Sequence, residues 1–158
     1  GVGGVRGGAA LGGRGYSGAG GEGEGDGSIE GSATGHAPHT AEEESRGLAG
    51  SAMGSVGLEC AFPLLYTYLV KPGMLTLERL VELMSLNPRR IFGLGGGLQA
   101  GQPADFTVMD LGAEYEIDPA AFLSMGHATP FAGWRVGGRT MLTVVDGREA
   151  YRDPAFGR

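Results

Sequence analysis

The sequence is short of positive charge, of cysteine and of long apolar runs, and each shortage excludes a class of protein. Lys and Arg total 12 against 18 Asp and Glu, and the resulting net charge of −6 argues against a nucleic-acid or anionic-membrane surface. The single Cys60 allows no internal disulfide and no CxxC pair, which favours a reducing compartment. No apolar run approaches the roughly 20 residues that span a bilayer. We therefore expect a soluble, cytoplasmic protein with no nucleic-acid or membrane partner.

The start of the chain also lacks large apolar side chains, because 16 of the 33 glycines lie in the first 35 positions. Glycine gives up much backbone entropy on folding and offers no side chain to bury. Three interpretations of residues 1–27 stay open: a flexible linker, a phosphate-binding glycine loop, or a degraded stretch of barrel sequence. The phosphate loop is the weakest, because a P-loop needs a preceding strand and a following Gly-Lys-Ser/Thr. Since the chain begins without Met or an apolar signal segment, we expect it to be part of a longer protein.

Two helices are predicted in the middle of the chain. Residues 58–70 are apolar on nearly all faces, as in a helix packed between neighbours, and Pro63 fits if it lies in the first turn. Thr76 is predicted to cap a second helix, with Glu78 in its first turn. The apolar residues of this second helix have i, i+3, i+4, i+7 spacing and predict one apolar stripe: Leu77, Leu80, Val81 and Met84.

The last third of the chain is predicted to be mostly β. Residues 105–109 alternate polar and apolar side chains, as a half-buried strand does. A second strand is predicted at 140–145. Asp146-Gly147 is a strong signal for a tight turn, so residues 148–151 are expected to return as the second arm of a hairpin.

Five segments, in order along the chain, carry a resemblance to a known family. The first, Gly35-His36-Ala37-Pro38-His39, is followed by a small residue and acidic residues. It resembles the Asp-His-Ala-Pro-His pattern of the bacterial dihydroorotases, which are amidohydrolases. The other four segments, at residues 57–65, 87–92, 104–108 and 129–134, are also similar to dihydroorotase sequence.

The resemblance implies an α/β fold, namely a TIM-type (β/α)₈ barrel with a small β-sandwich built from both ends of a full-length chain. This sequence is expected to contain the end of the barrel at residues 28–97, including the last barrel strand over 28–35 and the final helices. Residues 98–158 are expected to supply C-terminal strands of the sandwich. Thr34 to His39 would then lie at the C-terminal mouth of a barrel strand, where barrel enzymes carry their chemistry.

The resemblance also implies a zinc-dependent reaction, the reversible hydrolysis of dihydroorotate to N-carbamoyl-L-aspartate in pyrimidine biosynthesis. In the family, an Asp on the last barrel strand binds metal and accepts a proton from the zinc-activated water. Gly35 occupies the position of that catalytic Asp, and the earlier His and Lys metal ligands have no counterpart in this chain. We expect neither zinc binding nor hydrolysis by this chain alone, since loss of a general base typically costs about 10² to 10⁴ in rate.

The substrate side of the family site is present. The resemblance implies that His39 binds the substrate carboxylate, that Ala37 meets the ring amide through its backbone, and that the main chain of Gly54 faces the substrate. For His36 we expect a structural hydrogen bond, and for His127 a loop position with no partner in view. Cys60 is expected to be a small buried apolar residue, and residues 42–44 a solvated helix start.

Two functions remain open. The first is an incomplete, inactive dihydroorotase-like hydrolase. The second is a non-catalytic, dihydroorotase-like structural partner of aspartate transcarbamoylase, which the loss of the Asp favours and the small size of the chain disfavours. Hydantoinases and allantoinases share the barrel but rank lower, because their last-strand motifs do not resemble His-Ala-Pro-His. In either case the apolar faces of the predicted helices have no barrel wall in this chain to pack against. We therefore expect the chain to self-associate through these exposed apolar faces.

Overall fold

In a computed structural model, the described residues are 31–52, 54–95 and 97–157, and they form a helical part followed by a three-stranded antiparallel sheet. The predictions for residues 1–27 and for the start of the barrel strand at 28–30 lie outside these ranges. The helices in chain order are α1 (Ala41–Glu44), α2 (Gly47–Gly50), α3 (Ala61–Leu65), α4 (Leu77–Val81) and α5 (Asn87–Ile91). Helix α3 continues as a π-helix over Tyr66–Val70, and α4 does so over Glu82–Leu86.

The two long helical segments begin where the sequence predicts, within three residues. Pro63 lies in the first turn of α3, where its missing N–H costs no helical hydrogen bond. The helix begins at Ala61 rather than at residue 58 because Gly57 and Cys60 first close a turn. Thr76 caps α4, since its hydroxyl accepts the Arg79 N–H at 3.1 Å, and Glu78 lies in the first turn as predicted.

The apolar stripe of α4 is only partly buried. Leu80 and Leu83 are fully buried and form a core cluster with Leu75. Val81, which the spacing places on the same stripe as Leu80, is 42% exposed. The buried face turns toward α3 and leaves Val81 at its edge.

The sheet has the order β1-β2-β3, with β1 at Phe106–Glu116, β2 at Arg135–Val145 and β3 at Arg148–Arg152. The β2–β3 turn is the predicted tight turn, since Asp146 and Gly147 both have positive φ, at 50° and 72°. Both long strands extend beyond the predicted segments. The hairpin prediction is confirmed, whereas the predicted strands were too short.

Helix α3 and its π-helical extension pack directly on β2. The Gly137 N–H donates to Thr67 Oγ1 at 2.8 Å, and the Lys71 ammonium pairs with Glu114 of β1 at 2.9 Å. Cys60, Ile117 and Val136 form the buried cluster beneath this contact. The predicted burial of Cys60 is confirmed, and the helices and the sheet share this core.

The predicted last barrel strand is not paired in a sheet over its described part. Residues 31–35 run without regular secondary structure, and the Ser32 N–H donates to Leu83 O at 3.1 Å. A parallel strand takes its hydrogen bonds from neighbouring strands. Within the described ranges the strands are the three antiparallel ones, so this segment has no strand to pair with.

The described helices are also short. None of them is long and apolar enough to cross a bilayer.

Candidate substrate-binding site

The motif at Thr34 to His39 forms the loop between the unpaired segment and helix α1. The His36 N–H donates to Thr34 Oγ1 at 3.2 Å, which tightens the turn at Gly35. Gly35 has a φ of 60°, and no atom of the described residues lies within 4 Å of the position that a Cβ would take. This position therefore offers open space but no side chain that could accept a proton or bind a metal.

His36 fixes this loop to the start of α3. Its Nδ1 accepts the Gly57 N–H at 3.1 Å and lies 3.4 Å from the Leu58 N–H. Nδ1 is therefore the unprotonated ring nitrogen, and the predicted structural hydrogen bond is confirmed.

The three residues predicted to contact substrate lie together. A Cβ built on Gly54 would lie 2.2 Å from Ala37 O and 2.9 Å from His39 Cδ2. The Ala37 N–H donates to Ser55 O at 2.9 Å, so the two chain segments run side by side. Ala37, His39 and Gly54 thus form one surface, although their roles toward a ligand stay predictions.

A second loop, over residues 118–128, supports this surface and was missed from the sequence. A Cβ on Gly126 would lie 2.7 Å from His39 O and 2.8 Å from His39 N, so the loop backbone packs against the His39 main chain. The Glu59 carboxylate holds the loop by accepting the Ser124 hydroxyl at 2.6 Å and the Leu123 N–H at 2.7 Å. His127 has a partner, contrary to expectation, because its Nδ1 lies 2.6 Å from Pro119 O.

Glu43 lies close to the predicted ligand-binding histidine. Its Oε2 lies 3.7 Å from His39 Nδ1 and accepts the Thr40 N–H at 2.9 Å. Hydrogen bonds from the Thr40 backbone and hydroxyl, together with the nearby His39, hold the pKa of the Glu43 carboxyl below its usual value. Glu43 is therefore an anion at neutral pH. The solvated helix start predicted for residues 42–44 agrees with the exposure of Glu42 and Glu43.

The described residues do not fit a zinc site. Among them, no three His, Cys, Asp or Glu side chains come together as a metal ion requires. Gly35, at the position of the family's metal-binding Asp, contributes no ligand atom. Any zinc ligands of the kind the resemblance implies would have to come from outside the described ranges.

An apolar cleft of about 450 Å³ opens beside the loop. Among the described residues its lining carries no charged side chain and includes Thr34, Cys60, Leu64, Tyr68, Met84 and Trp134. Burial raises the pKa of the Cys60 thiol, and a hydrogen bond with Thr129 opposes that shift. The thiol is therefore protonated at neutral pH and acts as an apolar wall of the cleft.

The comparisons with known proteins agree on one family. The amidohydrolase family model matches residues 30–150. A dihydroorotase of Bacillus thuringiensis (strain Al Hakam) is 50% identical over 132 residues, which cover 83% of this chain and 31% of the relative. A dihydroorotase of Bacillus anthracis (strain CDC 684 / NRRL 3495) gives the same values. The chain thus spans about a third of the length of these curated relatives.

Solved structures with a similar fold include hydantoinases. The L-hydantoinase (dihydropyrimidinase) of Arthrobacter aurescens superposes with a TM-score of 0.75 at 33% identity, over 84% of this chain and 31% of that one. A D-hydantoinase reaches a TM-score of 0.84 over 94% of this chain and 34% of that one, but at 18% identity it speaks for the fold alone. The sequence is therefore more similar to dihydroorotases than to these hydantoinases.

Proposed function

This chain belongs to the amidohydrolase family, and from that premise we propose that it is the C-terminal, carboxylate-binding part of a dihydroorotase. In this proposal His39, Ala37 and Gly54 bind dihydroorotate or N-carbamoyl-L-aspartate. The observation that carries it is the close approach of these three residues. A Cβ at Gly54 would lie within 3 Å of both of the others.

The chemistry of the three residues suits a cyclic amide that carries a carboxylate. An imidazole N–H of His39 donates a charge-assisted hydrogen bond to the carboxylate, which is stronger than a neutral one. The backbone groups of Ala37 and Gly54 present donors and acceptors for the ring amide. The loop that Glu59 binds packs Gly126 against the His39 backbone, and this contact supports the position of His39 beside Ala37 and Gly54.

The proposal separates binding from hydrolysis. In the family a metal-activated water supplies the nucleophile. The described residues, however, contain no cluster of three His, Cys, Asp or Glu side chains that could hold the metal. Gly35 leaves the proton of that water without an acceptor. We therefore propose that this chain by itself binds the carboxylate and does not turn over dihydroorotate.

The binding test compares His39→Ala with a surface variant. N-carbamoyl-L-aspartate is titrated into the chain and followed by NMR. We expect His39→Ala to weaken the affinity about tenfold or more, because a hydrogen bond to a charged group contributes about 1.5–3 kcal/mol. Glu42→Gln is the control, since the Glu42 side chain is 86% exposed and pairs with Arg46, and its affinity should equal that of the wild type. Equal affinity of His39→Ala and the wild type would contradict the proposal, as would turnover of dihydroorotate by this chain alone.

The alternative of a non-catalytic partner of aspartate transcarbamoylase stays a prediction. It is tested by co-purification of the two proteins.

A further inference from the structure

We propose that Glu43 is a positioning residue that holds the His39 imidazole in the orientation needed to bind a substrate carboxylate. The inference rests on the proposed role of His39. It starts from the distance of 3.7 Å between Glu43 Oε2 and His39 Nδ1, with the two side chains 48% and 31% exposed. His39 lies in the loop just before the cap residue Thr40, and Glu43 lies in helix α1, so the pair joins the loop to the start of the helix.

The Glu43 carboxylate is fixed before it meets the ring. It forms a capping box with Thr40, in which Oε2 accepts the Thr40 N–H at 2.9 Å and the Thr40 hydroxyl lies at 3.0 Å. In return, Thr40 Oγ1 accepts the Glu43 N–H at 3.3 Å. A glutamate at this position would ordinarily be free to rotate, whereas here both Thr40 groups aim one oxygen toward the loop that carries His39.

The ring of His39 has the Glu43 carboxylate on one side and the Gly54 main chain on another. Nδ1 faces the carboxylate, and a carboxylate at this position favours the Nδ1–H tautomer. Cδ2 lies 2.9 Å from the position of a Gly54 Cβ. Glu43 thus restrains the ring with its Cδ2 edge against Gly54, and in the proposed binding mode Nε2–H is the donor to the substrate carboxylate.

The neighbouring Glu42 is an acidic residue that does not contact His39 in the same way, and its surroundings differ from those of Glu43. Its side chain is 86% exposed, and it pairs with Arg46 at 3.6 Å on the outer side of α1. Glu42 and Glu43 thus have the same chemistry and adjacent positions but different surroundings. This makes Glu42→Gln the matched control for Glu43→Gln.

The experiment uses Glu43→Gln because glutamine also serves in a capping box. The Gln oxygen still accepts from Thr40, so the capping box is kept. Only the negative charge beside His39 is lost. If Glu43 served the capping box alone, the change would therefore have no effect on His39. Long-range ¹H–¹⁵N NMR spectra above the imidazole titration report the tautomer of His39. We expect the Nδ1–H form in the wild type and in Glu42→Gln, and a shift toward the Nε2–H form in Glu43→Gln.

The second readout is the affinity for N-carbamoyl-L-aspartate at neutral pH. We expect it to fall about two- to fivefold in Glu43→Gln, as for the loss of a partly exposed charge pair, and to be unchanged in Glu42→Gln. An unaltered tautomer in Glu43→Gln, or an affinity equal to that of Glu42→Gln, would overturn the inference. Failure of the wild type to bind the probe would instead refute the proposed function, while the tautomer comparison would still decide whether Glu43 orients the ring.

Discussion

Gly54 is the residue on which the proximity of Ala37 and His39 depends. A Cβ at this position would lie 2.2 Å from the backbone oxygen of Ala37, which cannot move aside as a flexible side chain can. We expect Gly54→Ala to destabilise the fold by about 1–3 kcal/mol, the usual cost of forcing extra volume into a packed region. It should also weaken the binding of N-carbamoyl-L-aspartate, because the two loop segments must separate. Urea denaturation and an NMR titration measure the two effects.

Gly31→Ala is the matched control for Gly54→Ala. Gly31 lies in the unpaired segment that leads to the motif, and its nearest neighbour to a built Cβ is Leu83 O at 3.8 Å, an ordinary contact. Neither glycine has a positive φ, so backbone strain does not distinguish them. Equal stability of the two variants would show that the close approach at Gly54 is not required.

At this scale the sequence offered candidate site residues only where a motif was present. His39, Ala37 and Gly54 were proposed through the resemblance, and the structure brings them together. The structural hydrogen bond expected for His36 came from the same motif. Gly126 and Glu59 were missed because their importance comes from contacts between segments far apart in sequence, such as Ser124 with Glu59. A glycine that permits such contact has the same appearance in a sequence as one in an open loop.

At the scale of elements, the packing of helix α3 and its extension on strand β2 depends on Gly138. This residue has a φ of 83°, and a built Cβ would lie 2.9 Å from Phe62 Cε1 and 3.0 Å from Tyr66 Cδ1. Gly138→Ala therefore combines backbone strain with a clash against the helix. We expect a loss of about 2–5 kcal/mol in the free energy of unfolding, measured by urea denaturation at low protein concentration.

Gly147→Ala separates the two contributions to that loss. Gly147 has a similar φ of 72°, but nothing lies within 4 Å of its built Cβ. This variant should lose only the backbone part, about 1–2 kcal/mol. If Gly138→Ala and Gly147→Ala lose the same free energy of unfolding, the close packing of the helix against Gly138 does not contribute to stability.

Gly138 and its neighbour Gly137 explain why strand β2 was predicted too short. Residues 135–139 belong to β2, yet Gly137 and Gly138 interrupt the alternation that marks a strand in sequence. Their conformation is favoured by the packing of Thr67 and Phe62 above them, which no local pattern reports. The Asp146-Gly147 turn was predictable because its signal is local. Helix caps such as Thr76 were predictable for the same reason.

At the scale of the whole molecule, the described helices leave an apolar cleft open beside the motif. No charged residue of the described ranges lines it, and its lining residues Tyr68 and Trp134 are each 44% exposed. The relatives that match this chain are about three times as long. The helices therefore present a surface suited to contact with further polypeptide, and its exposure favours self-association.

A charge placed in the cleft should reduce this self-association. We expect the wild-type chain to form oligomers in analytical ultracentrifugation, and Tyr68→Lys to shift the distribution toward the monomer, because burying an ammonium against an apolar surface is costly. Leu98→Lys is the matched control, since Leu98 is 81% exposed and does not line the cleft. If association used scattered apolar side chains, Leu98→Lys would lower it as much as Tyr68→Lys does. A monodisperse wild-type monomer with a cooperative thermal transition would show instead that the described helices and sheet need no further covering.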